Sequence, residues 1–165
     1  YDRALGLDGL ADVLRIKLRE VLREDLGGTY GVGVSASLVQ YPRGAYSLAV
    51  GFGCAPERAD EMTAVVMAQL DTLALLGPDS VQVEKVRSMA VRAHEVELRE
   101  NGYWLELLGA ADFHGVAAQQ VLAEDAALAA LTRPRLQEAA ARYLDRRRYV
   151  RVVLLPAEPA PTPTQ

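Results

Sequence analysis

Between Leu22 and Leu38 the chain reads Leu-Arg-Glu-Asp-Leu-Gly-Gly-Thr-Tyr-Gly-Val-Gly-Val-Ser-Ala-Ser-Leu. Upstream of this stretch apolar residues recur every three or four positions, which predicts an amphipathic helix over about residues 5–26. From Tyr30 the period changes to two, which is typical of a β-strand. The paired glycines at 27 and 28 mark the change, because glycine readily takes the left-handed conformation that ends a helix. The stretch therefore predicts a helix that leads directly into a strand.

A second strand is predicted after a turn at residues 41–45, so that the two strands form an antiparallel hairpin. One face of this hairpin carries only small residues, which are Gly31, Gly33, Ser35 and Ser37 on the first strand and Ser47, Ala49, Gly51 and Gly53 on the second. We call this set the bare face. A solvated strand face usually carries larger side chains, so the bare face indicates a close approach. Either a ligand or another layer of the same protein would satisfy the pattern.

The rest of the chain is predicted to be mostly helical up to residue 144. The apolar spacing predicts helices from Ala59 to the Gly77-Pro78 stop, onward to about Glu100, over 103–113 and 118–131, and from the Thr132 cap to Leu144. Residues 149–155 are apolar on both faces apart from Arg151, which predicts a strand that joins the hairpin sheet. The expected fold is therefore an α/β (α+β) sandwich with an antiparallel sheet covered by helices on one face. We expect a single domain over residues 1–155 and a Pro-rich tail over 156–165.

Composition and charge exclude several classes of function. Half of the 165 residues are apolar, which suits one domain with a hydrophobic core. A net charge of −4 with scattered arginines gives no basic surface for nucleic acid. No stretch approaches the roughly 20 apolar residues of a membrane span. The chain begins Tyr-Asp rather than with Met and enters a helical pattern at once, so we expect a piece of a longer polypeptide.

The sequence offers no set of metal ligands. A catalytic zinc needs three protein ligands, and the chain has two histidines, His94 and His114, without a histidine partner at the required spacing. His94-Glu95 begins like His-Glu-x-x-His, but Leu98 stands in the place of the second histidine. We therefore predict His94 to be a partly exposed structural residue and His114 a surface or capping residue.

Two other candidate sites are also unconvincing. The glycines between residues 27 and 33 lie where a helix runs into a strand, whereas nucleotide-binding glycine loops run from a strand into a helix. Cys54 is the single cysteine, so it allows no internal disulfide, and it ends an apolar strand with no cation or histidine beside it in sequence. It is predicted to be a buried, inert thiol, and cysteine usage leaves the compartment open.

Several segments together carry a resemblance to a known family. They are Arg23-Glu-Asp-Leu-Gly-Gly-Thr-Tyr30, Tyr41-Pro-Arg-Gly44, Phe52-Gly-Cys-Ala-Pro-Glu-Arg58, Arg99-Glu-Asn-Gly-Tyr-Trp104 and Tyr149-Val-Arg-Val-Val-Leu-Leu-Pro156. This set resembles the C-terminal, non-zinc-binding domain of bacterial zinc proteases of the pitrilysin/insulinase type, the inverzincins. The resemblance covers about residues 5–156, and it implies the metallopeptidase-half (processing-peptidase-like) fold.

The resemblance implies a division of labour between two halves of one polypeptide. In the family two homologous α/β halves enclose a chamber, of which the N-terminal one binds zinc through an inverted His-x-x-Glu-His motif. The other half supplies an arginine and a tyrosine. By this likeness Arg23 would bind a substrate carbonyl, and Tyr30 would assist catalysis by donating a hydrogen bond to the scissile carbonyl or its oxyanion. Zinc would be bound in the other half, none by this chain, and this chain alone would be inactive.

The residues taken alone also allow a structural interpretation of that pair. Arg23 would then be a cation near a helix C-terminus, and Tyr30 a half-buried ring with a solvated hydroxyl. Strict alternation places Tyr30 on the side of Val32 and Val34. Its hydroxyl therefore reaches the bare face only if the chain bends near Gly31, which glycine permits.

Other expectations also follow from the resemblance. The family's domain has further strands upstream of residue 5, so this chain is expected to be truncated there, with a loosened sheet or self-association through an unpaired edge. The partners implied are a peptide substrate and the zinc-binding half, in the bacterial periplasm or cytoplasm. One alternative is a non-enzymatic scaffold or assembly protein of the same fold. Another is an unrelated hydrolase that uses His94 and Glu95.

Overall fold

The computed structural model describes residues 2–25, 27, 29, 31–117 and 124–156. Its elements in chain order are α1 (Asp2–Arg19), a π-helical turn (Glu20–Asp25), β1 (Val32–Val39), β2 (Ala45–Phe52), a 3-10 turn (Pro56–Arg58), α2 (Ala59–Leu76), α3 (Ser80–Glu97), α4 (Asn101–His114), α5 (Glu124–Ala129) and α6 (Arg133–Tyr143). The predicted helices and the hairpin are confirmed. Part of the helix predicted over 118–131 lies outside the described residues.

Helix α1 lies at the centre of the molecule. Its apolar stripe is fully buried at Leu7, Leu10, Leu14 and Leu18. It packs against β1 on one side and against α2, α3, α5 and α6 on the others. Burying a leucine side chain stabilises a fold by about 1.5–3 kcal/mol, so this stripe is a major source of stability.

The hairpin sheet presents one covered face and one open face. Val34 pairs with Val50 and Gly33 with Gly51, so each pair shares one face of the sheet. Val32 and Val34 are buried in the core that α1 and α2 complete, whereas the bare face is exposed. The predicted antiparallel sheet with helices on one face is therefore confirmed.

Local interactions fix the turn between α2 and α3, and of these the sequence predicted the glycine that ends α2. Gly77 has a positive φ of 71° at the end of α2. Asp79 accepts a hydrogen bond from the Gln82 amide, and the Gln82 side chain accepts one from the Asp79 amide, which forms a capping box at the start of α3. Arg133 donates to the carbonyl oxygens of Pro78 and Leu76, at 3.0 and 3.2 Å, and so ties α6 to this turn.

The prediction of a strand at residues 149–155 is wrong for the part of the chain that the structure describes. Its sheet has two strands, β1 and β2, and residues 149–156 make no backbone hydrogen bond to another described residue. Val150 and Leu154 are 89% and 92% exposed. A strand needs a neighbouring strand to which its backbone can hydrogen-bond, and the described residues place none beside this segment.

Residues 149–156 instead line an open groove. The groove has a volume of about 690 Å³, and its other walls are β2 and α2. Arg151 forms an ion pair with Asp60 in the first turn of α2, which holds the segment near that helix. None of the helices in the described ranges is long and apolar enough to cross a membrane.

Candidate functional site

Arg23 lies on the π-helical turn that extends α1. Its neighbour Leu22 is fully buried, whereas the Arg23 side chain is exposed. A π turn inserts an extra residue into a helix and is found frequently at functional sites. Because Leu22 is held in the core, the guanidinium of Arg23 is presented to solvent from an anchored piece of backbone.

The structure locates the residues on either side of Tyr30, which itself lies outside the described residues. Gly27 has a positive φ of 56°, which ends the helical turn as the sequence predicted. Thr29 is buried, and its hydroxyl donates a hydrogen bond to the Gly31 carbonyl oxygen at 2.9 Å. The Gly31 amide donates to the same hydroxyl at 3.2 Å. A role for Thr29 was not predicted from the sequence.

A second contact fixes the strand that follows this motif. The guanidinium of Arg15 donates to the carbonyl oxygen of Val34 at 2.6 Å and forms an ion pair with Asp12. Helix α1 and strand β1 are therefore joined by a contact between Arg15 and Val34, which lie on either side of the Arg23–Tyr30 motif in the sequence. The backbone on both flanks of the motif is held in one arrangement.

The bare face begins where this motif ends. A Cβ atom built at Gly31, Gly51 or Gly53 would meet no heavy atom within 4 Å. Within the described ranges, therefore, no close neighbour explains these glycines. Both alternatives for the bare face therefore stay open, a ligand or a layer of the same protein that lies outside the described residues.

His94 is a packing residue between α3 and α4. It is 6% exposed, so the prediction that it is partly exposed is wrong. The Tyr103 hydroxyl lies 3.4 Å from His94 Nδ1, and the two rings meet edge to face at 5.8 Å. The indole N–H of Trp104 donates to the Leu98 carbonyl oxygen at 2.9 Å. The Asn-Gly-Tyr-Trp motif is therefore used in packing.

A zinc site needs several histidine, cysteine, aspartate or glutamate side chains close together. In the described ranges no three histidine, cysteine, aspartate or glutamate side chains come together in a way that could hold a metal ion. Glu95 is exposed on α3, beside the buried ring of His94. The two residues do not form a convergent site, and this structure therefore gives no support to a hydrolase that uses them.

His114 and Cys54 lie away from the motif. His114 is exposed at the end of α4, where its ring stacks on Tyr41 with centroids 5.6 Å apart. Phe113 meets the same tyrosine edge to face at 5.8 Å, so these aromatic rings connect the hairpin tip to α4. Cys54 lines the groove beside β2 and is half-buried, less covered than the sequence predicted.

Comparison with known proteins identifies the class of fold. The chain has the fold of the peptidase M16 inactive domain from Pseudomonas fluorescens, with a TM-score of 0.74 at 15% identity over 86% of this chain and 34% of that one. It also superimposes on the periplasmic protease PqqL from Escherichia coli, with a TM-score of 0.72 at 19% identity over 87% of this chain and 16% of that one.

The sequence matches define the family. Residues 2–90 match the sequence profile described as the Peptidase M16 inactive domain, and the chain belongs to this family. A zinc protease PQQL-like from Arabidopsis thaliana is 28% identical over 104 residues, which cover 59% of this chain and 11% of that protein. The chain thus spans about a tenth of that protein and about a sixth of the Escherichia coli protease. The resemblance stated from the sequence is confirmed.

Proposed function

We propose that this chain is the substrate-binding, non-catalytic half of a zinc-dependent endopeptidase that degrades or processes peptides. The observations that carry the proposal are the exposed Arg23 on an anchored helix end and a sheet face that begins directly after the Arg23–Tyr30 motif and that no described residue covers closely. Residues 1–155 act as one domain, and 156–165 as a tail. Zinc and its ligands belong to the N-terminal half of the same polypeptide.

The chemical roles of the two motif residues follow from their donors. The guanidinium of Arg23 is always charged and carries a planar set of N–H groups, which suits a main-chain carbonyl of a bound peptide. The phenol of Tyr30 donates a hydrogen bond to the scissile carbonyl or to the oxyanion that forms from it. Such donors stabilise negative charge as it develops, and removing one costs about 10²–10³ in kcat.

The bare face gives the peptide a place to lie. Because Gly33, Ser35 and Gly51 are exposed and carry little or no side chain, a second backbone can approach this face closely. The serine hydroxyls supply donors and acceptors for peptide groups. Binding of this kind depends on the main chain more than on particular side chains, which suits an enzyme that accepts many sequences.

The test uses the full-length parent chain with its zinc content measured in every variant. We expect Arg23→Ala to lower kcat/KM for a fluorogenic peptide by at least about tenfold, because a charged hydrogen bond is worth about 1.5–3 kcal/mol. Tyr30→Phe should lower kcat by about 10²-fold, since the donor acts on the developing charge. Arg19→Ala is the matched control, because Arg19 is also exposed and lies one turn earlier on α1.

The outcomes separate the proposal from its rivals. Full activity in both Arg23→Ala and Tyr30→Phe would contradict the substrate-binding role and would show that the two motif residues are structural. Peptide hydrolysis by the isolated 165-residue chain with added zinc would contradict the division between halves. A parent chain that binds no zinc and cleaves no peptide would instead favour the scaffold alternative.

A further inference from the structure

Residues 149–155 have the composition of a strand but lack the neighbour that a strand needs. The segment reads Tyr-Val-Arg-Val-Val-Leu-Leu, and β-branched and aromatic residues are enriched in strands. Residues 149–156 make no backbone hydrogen bond to another described residue. The side chains of Val150, Val152 and Leu154 are exposed. Within the described ranges, therefore, neither the backbone nor the apolar side chains of this segment are covered.

Strand β2 borders the same groove from the other side and has a free edge. It pairs with β1 along one edge, and no other strand in the described part of the chain pairs with it. An edge strand presents a row of unpaired N–H and C=O groups on its free side. Leu48, Val50 and Phe52 of β2 pack against the core, yet they are only half-buried and also line the groove. The groove thus leaves one edge of the sheet unpaired and one side of the core open.

Helix α2 forms the remaining wall of the groove, and this wall is largely apolar. It contributes Val66, Met67 and Leu70. Among the described residues that line the groove, Arg151 carries the single charge, and its ion pair with Asp60 holds residues 149–156 beside α2. An occupant must therefore offer backbone hydrogen bonds on two sides and apolar side chains toward α2.

We infer that this groove holds a β-strand of the parent polypeptide from outside these 165 residues, paired with β2 on one side and with residues 149–155 on the other. A helix satisfies its own backbone groups and would leave both edges unpaired. A peptide that enters and leaves would return Leu48, Val50 and Phe52 to water each time, whereas a resident strand keeps them covered. The chain spans about a tenth to a sixth of its long relatives, so most of such a polypeptide lies outside it.

Hydrogen exchange of the full-length parent chain, read by mass spectrometry without added peptide, tests this inference. We expect the amides of residues 150–155 that face the inserted strand to exchange at least about 10²-fold more slowly than unstructured amides, because exchange then requires local opening. Helix α1, whose amides are bonded within the helix, supplies the protected reference. Exchange of residues 150–155 at the unprotected rate would overturn the inference.

Two further measurements establish where the strand comes from. Light scattering gives the mass of the parent chain at each concentration, and the protection should be complete in the monomer. An isosteric photoreactive leucine, incorporated throughout, should cross-link Leu48 or Leu154 to a segment of the same polypeptide outside these 165 residues. Protection that appears only when the parent dimerises would assign the groove to a second copy, and protection that appears only with added peptide would assign it to substrate. Either result would overturn the inference.

A matched pair of variants tests the apolar wall. Met67→Lys places a charge against the inserted strand, and burying an unpaired charge is costly, so exchange of residues 150–155 in the parent should rise at least about tenfold. Met89→Lys is the control, because Met89 is exposed on α3, and it should leave this exchange unchanged. Unchanged protection in Met67→Lys would overturn the inference. If Met67→Lys does not fold, the exchange of the unmodified parent decides.

The inference is independent of the proposed function. Arg23→Ala should leave the protection of residues 150–155 unchanged, because Arg23 is not among the residues that line the groove. Loss of the substrate-binding role with protection retained would remove the proposed function alone. Unprotected residues 150–155 with Arg23→Ala impaired in cleavage would overturn the inference alone.

Discussion

The guanidinium of Arg15 on α1 donates a hydrogen bond to the carbonyl oxygen of Val34 on β1, at 2.6 Å. The same guanidinium forms an ion pair with Asp12, which holds it in place. This contact joins the helix before the Arg23–Tyr30 motif to the strand after it. The relative position of Arg23 and the bare face therefore depends on a side chain that lies outside the motif.

Arg15→Met is predicted to destabilise the chain by about 1–2 kcal/mol, because it removes the charged donor from a strand carbonyl and the partner from a carboxylate. Arg87→Met is the control, since Arg87 pairs with Glu84 on the surface of α3, and exposed pairs contribute about 0–1 kcal/mol. Urea denaturation measures both. Equal unfolding free energies for the two variants would show that the Arg15 contact is unimportant.

The two glycines of α1 should respond to substitution in opposite directions. A Cβ at Gly6 would lie 3.6 Å from the Ala139 Cβ, which is an ordinary contact, so Gly6→Ala should stabilise the helix by about 0.5–1 kcal/mol. At Gly9 a Cβ would lie 2.9 Å from Leu131 Cδ2 and 3.0 Å from Leu136 Cδ2, and both leucines are fully buried. Gly9→Val should therefore destabilise the chain by about 1–3 kcal/mol through overpacking.

Chemical denaturation of Gly6→Ala, Gly9→Val and the unmodified chain measures the free energy of unfolding of each. A Gly9→Val variant as stable as the unmodified chain would contradict the close approach of α1 to the residues around α6.

Asp8 is predicted to lower stability at neutral pH. Desolvation by the surrounding residues, and then the nearby Asp12 carboxylate, raise the pKa of Asp8 above its ordinary value of 3.8. The folded chain therefore binds this proton more tightly than the unfolded chain does. The protonated Asp8 carboxyl therefore contributes fully to the free energy of unfolding below pH 3.8. This contribution is lost as the pH rises through the pKa of Asp8 in the folded chain.

Asp8→Asn should consequently raise the unfolding free energy at pH 7, and the gain should disappear below about pH 4. Thermal unfolding across this pH range measures it. Glu106→Gln is the control, because Glu106 is exposed on α4, and its substitution should leave stability nearly unchanged. A gain from Asp8→Asn that is the same at every pH would contradict the assigned cause.

The isolated chain is predicted to self-associate through residues 149–155 and the neighbouring groove. Val150, Val152 and Leu154 are exposed, and contiguous exposed apolar surface favours association. Val150→Lys combined with Leu154→Lys should yield a monomer, since charge opposes pairing at an exposed edge. Light scattering after size-exclusion chromatography, over a range of concentrations, measures the mass. A monomeric unmodified chain at the highest concentration would refute this.

Much of the fold is predictable because its signals are local. The leucines of α1 have helical spacing, the hairpin alternates, and Gly77 ends α2, so each element can be deduced from a short window. The strand predicted at residues 149–155 shows the limit of such windows. Apolar residues on both faces indicate that a neighbour is expected, but a strand forms only when that neighbour supplies backbone hydrogen bonds.

The site was predictable only in part, for a different reason. Arg23 and Tyr30 were identified from the resemblance, and spacing alone left each of them open to a structural interpretation. The π-helical turn under Arg23 has no clear sequence signal, because it depends on how Leu22 fits the core.

The central claim is that this chain binds the peptide while the zinc chemistry belongs to the other half. Its most direct test is a peptide affinity measured in the parent chain, made inactive by replacing the glutamate of the His-x-x-Glu-His motif in the proposed zinc-binding half. Fluorescence anisotropy of a labelled peptide would then report binding without cleavage. We predict that Arg23→Ala weakens the affinity by at least about tenfold, about 1.4 kcal/mol, while Arg19→Ala does not. If the parent chain with Arg23→Ala and the unsubstituted parent chain bind the peptide with equal affinity, the claim is contradicted.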